Sequence, residues 1–154
     1  MMQFEGIDIT APAMFPHDSW NRAETLGAIT WLWLRTSPYR EAPLSELDKY
    51  VLPVLDNGQF ALFTEQGRVF GYLSWAAFNQ ETEAQYLQSD NVLHIPANWQ
   101  SGNRIWLIDW FAPFGDSLRM KTLARRYLFP RSQAHSLYHK TQHGKPKIMR
   151  FTGE

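Results

Sequence analysis

The 154-residue sequence contains no cysteine, which excludes disulfides, thiolate nucleophiles and Cys-based zinc sites. No stretch approaches the ~18–20 uncharged apolar residues of a membrane span. The opening Met1-Met2-Gln3-Phe4-Glu5 also lacks the basic start and apolar run of a secretory leader. A soluble, unsecreted protein with no integral membrane segment is therefore expected, and the lack of cysteine permits the cytoplasm. Phosphate-loop and dinucleotide fingerprints are missing. The five histidines show no H-E-x-x-H spacing; His135 and His139 would merely share one side of a strand, and no metal site is expected. Acids are scarce at one end. Residues 117–154 hold nine Lys/Arg and only Glu154 as an acid, against six Lys/Arg and fourteen Asp/Glu in residues 1–116.

Apolar side chains make up 44% and aromatics 15% of the chain, enough to exclude a disordered or collagen-like polymer and to build one core. One domain over 1–154 follows from the length, with 1–17 as an N-terminal extension and a candidate for flexibility. The zero net charge is a division into parts of −8 and +8. The basic part is either a solvated face neutralised by the rest of the fold or an electrostatic dock for a polyanion. Nucleic acid is the weakest of the docking readings, resting only on Tyr127, Phe129 and Tyr138 beside the basic residues, and no nucleic-acid partner is expected.

The spacing predicts a nearly all-round apolar helix over Trp20–Arg35, capped by Asp18 or Ser19 and ended by Ser37-Pro38. A second, amphipathic helix starts at Pro43, is kinked or shortened at Pro53 and is stopped by Asn57-Gly58. Phe60–Thr64, a Glu65-Gln66-Gly67 turn and Val69–Trp75 form an antiparallel hairpin. Asn79–Gln88 reads as a short surface helix, and Pro96–Gly102 as loop. Ile105–Phe111 is a largely apolar central strand, and Ser117–Phe129 a basic helix capped by Asp116 or Ser117, with Leu118, Leu123, Ala124 and Leu128 inward. A hairpin of Ala134–Lys140 and Lys147–Thr152, turning at Gln142-His143-Gly144, closes the chain. The sum is an α+β fold, a mixed sheet carrying helices.

One acid lies inside the apolar central strand. Asp109 is either a structural carboxylate satisfied by backbone N–H groups or by Arg104, or a catalytic or orienting acid, because burying an unpartnered carboxylate is costly and shifts its pKa. Ser37-Pro38-Tyr39-Arg40 sits at the break between the first two helices, where loops carry function. The seven tryptophans are core or interface candidates.

Leu26-Gly27-Ala28-Ile29-Thr30-Trp31-Leu32-Trp33, Val51-Leu52-Pro53, Tyr72-Leu73-Ser74-Trp75-Ala76, Trp99–Arg104 and, above all, Ile108-Asp109-Trp110-Phe111-Ala112-Pro113-Phe114-Gly115-Asp116 resemble the RTX toxin-activating lysine acyltransferases of the hemolysin-activating type, over roughly residues 24–152. The resemblance implies a GNAT-like fold with a mostly antiparallel sheet flanked by helices, in a cytoplasmic enzyme that is often a homodimer. It implies transfer of a fatty acyl chain from acyl carrier protein, as phosphopantetheine thioester and with no bound cofactor, to internal lysines of a protoxin. Asp109 falls on the family's catalytic Asp. The ungapped stretch from Trp31-Leu32-Trp33 to Val51-Leu52-Pro53 places Tyr39 on the family's catalytic His, Arg40 on the Arg that follows it, and Tyr50 on a functional Asn.

Arg104 and Trp110, inside the motif, join Arg40 and Tyr50 as candidate substrate contacts, and Arg125 and Arg126 as candidate contacts to an acidic carrier. Tyrosine, near pKa ~10, is a poor base at neutral pH. Two outcomes stay open: an active acyltransferase in which Tyr39 acts as acid or donor, and a catalytically silent relative that binds carrier, toxin or an active partner subunit.

Overall fold

Gln66 and Gly67 both lie in the left-handed region, with φ of 50° and 77°, the geometry of a two-residue hairpin turn. They fold Phe60–Glu65 (β3) back onto Arg68–Phe78 (β4). A computed structural model describes residues 1–138 and 147–154. Around this hairpin it places seven strands in chain order: Met2–Phe4 (β1), Ile7–Thr10 (β2), β3, β4, Arg104–Phe111 (β5), Gln133–Tyr138 (β6) and Lys147–Thr152 (β7). All neighbours run antiparallel except β5 and β6. With helices on both faces, this is the GNAT-like α+β arrangement.

One face carries Arg22–Trp33 (α1), Leu47–Tyr50 (α2), Leu52–Asn57 (α3) and Gln80–Tyr86 (α4), packed through Ile29, Leu32, Val54, Tyr86 and Trp99 onto Phe60, Tyr72 and Phe111. The other face carries Ser117–Leu123 (α5) and a π-turn over Ala124–Leu128, seated on Phe63, Leu73 and Trp75.

Several expectations change. The start of the 1–17 segment is sheet: a Glu5-Gly6 turn with positive φ lets β1 and β2 extend the sheet beyond β3, and Ile7 and Ile9 are buried. Asn21, not Asp18 or Ser19, caps α1, its side chain accepting from the Glu24 N–H at 2.8 Å. The second helix breaks at Val51, and Pro53 opens α3 instead of kinking one long helix. Trp99, placed in loop by the sequence, is fully buried in a 3₁₀ turn over Pro96–Trp99. Leu118 is 80% exposed. Met120 sets the helix phase by filling the space left by Gly71, where a Cβ would sit 2.5 Å from its Sδ; two residues earlier, at ~100° each, Leu118 faces away. Asp116 holds the N-cap position as expected, its carbonyl accepting from the Met120 N–H at 2.9 Å, but its side chain bonds no helix N–H and instead accepts from Arg119 at 3.0 Å. Lys140 and the Gln142-His143-Gly144 turn lie outside the described residues.

The Ser101-Gly102 pair locks the loop before β5 onto the end of β4. Ser101 Oγ accepts from the Asn79 N–H at 2.9 Å, and the Gly102 N–H donates to the Ala77 carbonyl at 3.0 Å. A Cβ on Gly102 would lie 2.5 Å from Asn79 N and from Phe78 O. Backbone cannot swing aside as a side chain can, so Gly102→Ala is expected to lower stability by roughly 1–3 kcal/mol, read as a fall in Tm with no change in folded-state secondary structure by circular dichroism.

Candidate active site

The orientation of Asp109 comes from a fault in the strand ladder. Ser74 pairs with Asp109 while Trp75 pairs with Leu107, so Ile108 is an extra residue in β5. Such a bulge resets the alternation of side chains. Trp106 and Ile108 face α1, and after the bulge Phe111 does as well, with Leu107 and Trp110 on the α5 side. Asp109 is thereby turned toward α1, its N–H donating to Ser74 Oγ at 3.2 Å.

There Pro38 ends the helical region, and the short 3₁₀ turn Tyr39–Glu41 delivers a phenol. The Tyr39 hydroxyl donates to Asp109 Oδ1 at 2.7 Å. Asp109 is 1% exposed, and its Oδ2 has no hydrogen-bond partner among the described residues. Burial raises the Asp109 pKa to about 7, with the Tyr39 hydrogen bond pulling the other way. Burial and the adjacent carboxylate push the Tyr39 phenol far above its ordinary value, so it keeps its proton at any working pH. The Tyr39 ring is wedged edge-on against Trp33 and Phe111, each at 4.8 Å between centroids.

A cavity of about 240 Å³ opens on the other side of that ring. β5 and β6 pair only from Ile105–Leu107 to Ala134–Ser136; both strands then run on without pairing to each other, and Ile108 and Leu137 line the gap. Tyr39, Tyr50 and Tyr86 supply three phenols to the wall, with Asp90 at the rim. Asp109 does not line the cavity, so Tyr39 stands between the carboxylate and the space a substrate would occupy. Tyr50 donates to Asp90 Oδ2, which also receives Lys49 Nζ at 3.1 Å, while Glu46 holds the same ammonium at 3.2 Å. Burial alone would raise Asp90, but the bonds from Tyr50 and Lys49 outweigh it and hold its carboxyl below the usual range.

The sequence model "HlyC: RTX toxin acyltransferase family" matches residues 18–152. The chain belongs to this family. It is 40% identical over 119 residues to the RTX-II toxin-activating lysine-acyltransferase ApxIIC of Actinobacillus pleuropneumoniae, covering 77% of this chain and 74% of that protein. It is 44% identical over 103 residues to the leukotoxin-activating lysine-acyltransferase LktC serotype A1 of Mannheimia haemolytica, covering 66% and 61%. It is 42% identical over 92 residues to the protein-lysine myristoyltransferase RtxC of Kingella kingae, covering 60% and 54%.

Of the candidate residues of this RTX toxin acyltransferase family member, Tyr39 and Tyr50 line one cavity wall, and Asp109 is bonded to Tyr39 behind it. The other five do not line it. Arg40 is exposed beside Glu41 at 3.4 Å. Arg104 does not satisfy Asp109; its Nε bonds Glu83 at 2.9 Å. The bulge leaves Trp110 on the α5 side, where its indole N–H donates to Ser117 Oγ at 2.9 Å. Arg125 Nε donates to the Thr152 carbonyl at 2.7 Å, and Arg126 bridges Glu5 and Glu154 at 3.0 Å each. Part of the basic helix thus balances acids within the fold. His135 stacks on Trp106 at 5.3 Å, and His139 lies outside the described residues. Among the described residues, no helix is long and apolar enough to cross a membrane.

Four neighbours of the site went unnoticed in the sequence. Lys49, Tyr86 and Asp90 sit in polar stretches that read as surface. Tyr72 sits in a strand that reads as core, yet its buried hydroxyl has no hydrogen-bond partner among the described residues.

Proposed function

We propose that this chain transfers a fatty acyl group from the phosphopantetheine thioester of an acyl carrier protein to lysine side chains of an RTX protoxin, in the cytoplasm. The observation that carries this reading is the 2.7 Å bond from Tyr39 to Asp109 on the wall of the cavity where β5 and β6 part.

A lysine arrives as an ammonium, with pKa ~10.4, and must shed a proton before its nitrogen can attack. Tyr39 is the wrong group to hold that proton and the right one to pass it on. As the ammonium proton moves to the phenol oxygen, the phenol proton moves to Asp109 Oδ1, and the phenol carries no net charge in either state. The amine then forms the C–N bond, the C–S bond breaks, and the second nitrogen proton leaves with the pantetheine sulfur as thiol. Asp109 returns its proton through Tyr39 to solvent. A carboxyl poised near 7 suits this cycle at neutral pH, since a positioned base works best when its pKa is close to the operating pH.

The lining has a polar side of phenols and an apolar side of Ile108, Leu137 and Leu87, suited to an amine meeting a lipid thioester. Acyl carrier proteins are acidic and their prosthetic arm is a phosphodiester, which suits the excess of Lys/Arg after residue 116.

The test is a mixture of the purified chain, a carrier protein charged with a fatty acid and an RTX protoxin, with tryptic peptides read by mass spectrometry. The expected result is an acyl mass on protoxin lysines that requires both the chain and the charged carrier and that declines as salt rises. Protoxin left unmodified, with the chain still retained on carrier or toxin, would instead make this a silent scaffold that only binds.

A further inference from the structure

The reaction needs a hydrogen-bond donor that the proton relay does not supply. When the amine adds to the thioester, its carbonyl oxygen becomes an oxyanion, and a positioned donor at that point is among the largest contributions to acyl transfer. Three phenols line the cavity, and two have already committed their protons. Tyr39 donates to Asp109, and its proton moves onto that carboxylate in the relay. Tyr50 donates to Asp90; turning away would leave Asp90 with Lys49 alone. The Tyr86 hydroxyl has no hydrogen-bond partner among the described residues.

We infer that Tyr86 is the oxyanion donor of this site, its hydroxyl hydrogen-bonding the carbonyl oxygen of the bound thioester. The inference rests on the acyl-transfer reading above. Tyr86 is built to be still. Its side chain is 7% exposed, its ring packing against Phe78 at 5.2 Å and edge-on against Trp106 at 5.7 Å. The helix that carries it is fixed at both ends of its first turn: Asn79 caps it, accepting from the Thr82 N–H at 2.7 Å, and Glu83 is pinned to β5 by Trp106 Nε1 at 2.7 Å and Arg104 Nε at 2.9 Å. This gives Arg104 a use that its sequence position did not suggest: it positions α4. Burial, with Asp109 and Asp90 nearby, raises the phenol above its ordinary value, so the hydroxyl remains a donor throughout the working pH range. A donor that needs no reorientation is what lowers the barrier, since its ordering cost is met in folding.

The experiment is Tyr86→Phe, which removes the hydroxyl and keeps the ring. With charged carrier and protoxin, kcat is expected to fall about 10²-fold, with KM for the carrier within twofold and the midpoint of the pH–rate profile unmoved, because Tyr39 and Asp109 are untouched. A parental kcat, a change confined to KM, or a shifted midpoint would each overturn the inference while leaving acyl transfer standing. A parent protein that acylates no lysine removes the reading beneath it and this role with it. A second arm places 3-fluorotyrosine at position 86, keeping the shape and making the phenol a stronger donor. Transfer at or above the parental rate supports the assignment, and a tenfold loss refutes it.

Discussion

Asp109→Asn is expected to fold, to melt at a higher temperature than the parent above pH 7, and to transfer acyl groups roughly 10³–10⁴-fold more slowly. The two effects have one cause. Asp109 is buried with one oxygen lacking a partner among the described residues, and its pKa rises to about 7 in the fold from ~3.9 in an unfolded chain. Between those values the folded chain holds a proton that the unfolded chain has lost. Stability contributed by this group therefore drains away as pH climbs from about 4 through 7. Above that the whole cost of burying the charge is present, on the order of 4 kcal/mol. Asparagine keeps an acceptor for the Tyr39 hydroxyl and the backbone contact to Ser74 while removing the charge.

Melting curves of parent and variant should meet near pH 4 and separate by several degrees above 7. The parental transfer rate should rise through pH 7 and level off. An asparagine variant less stable than the parent at pH 8 would mean that the carboxylate is satisfied in the fold, and its role as base would go with that result.

How much of this was legible depended on whether the cause was local. The β3–β4 hairpin is written in Glu65-Gln66-Gly67 between two apolar runs, and the observed turn and strands follow them. An acid among Ile105–Phe111 announces a buried carboxylate, because the surrounding side chains fix its environment. Its direction is another matter. Simple alternation from Trp106 would send Asp109 to the α5 face, and only the bulge at Ile108 returns it to Tyr39. A bulge arises from pairing with β4, which one strand's sequence does not display.

Tyr39 was found through the ungapped match to a family, not through its own tetrapeptide, because nothing in Ser37-Pro38-Tyr39-Arg40 encodes a partner seventy positions away. Tyr86 was passed over because a short polar helix looks solvent-facing; Phe78 and Trp106, which bury its ring, come from other elements. β1 and β2 were missed because two strands of three and four residues around Glu5-Gly6 are too short for a periodic signal. Arg125 and Arg126 are legible as charge, but the bond of Arg125 to the Thr152 carbonyl and the bridge of Arg126 to Glu154 and to Glu5, 121 positions away, are not.

The other large effect is expected at Tyr39. Tyr39→Phe keeps the ring packed on Trp33 and Phe111 and deletes the one atom that connects Asp109 to the cavity. The transfer rate should fall roughly 10³-fold with little change in Tm at pH 5, where the carboxyl is largely protonated in the fold. The remaining activity should show a midpoint above the parental value: Tyr39 is the hydrogen bond that opposes burial at Asp109, and without it the carboxyl holds its proton to higher pH. That displacement separates a relay from a packing element, since a ring that merely filled space would leave the midpoint where it was.

Tyr39→His replaces the relay with a base, because an imidazole can take the amine proton itself near pH ~6.5 and needs no concerted transfer. It should recover a substantial part of what Tyr39→Phe loses. A phenylalanine variant with the parental rate and midpoint would show that protons leave the amine by another route. In that case the 2.7 Å contact would be a structural bond between a strand and the turn that covers it.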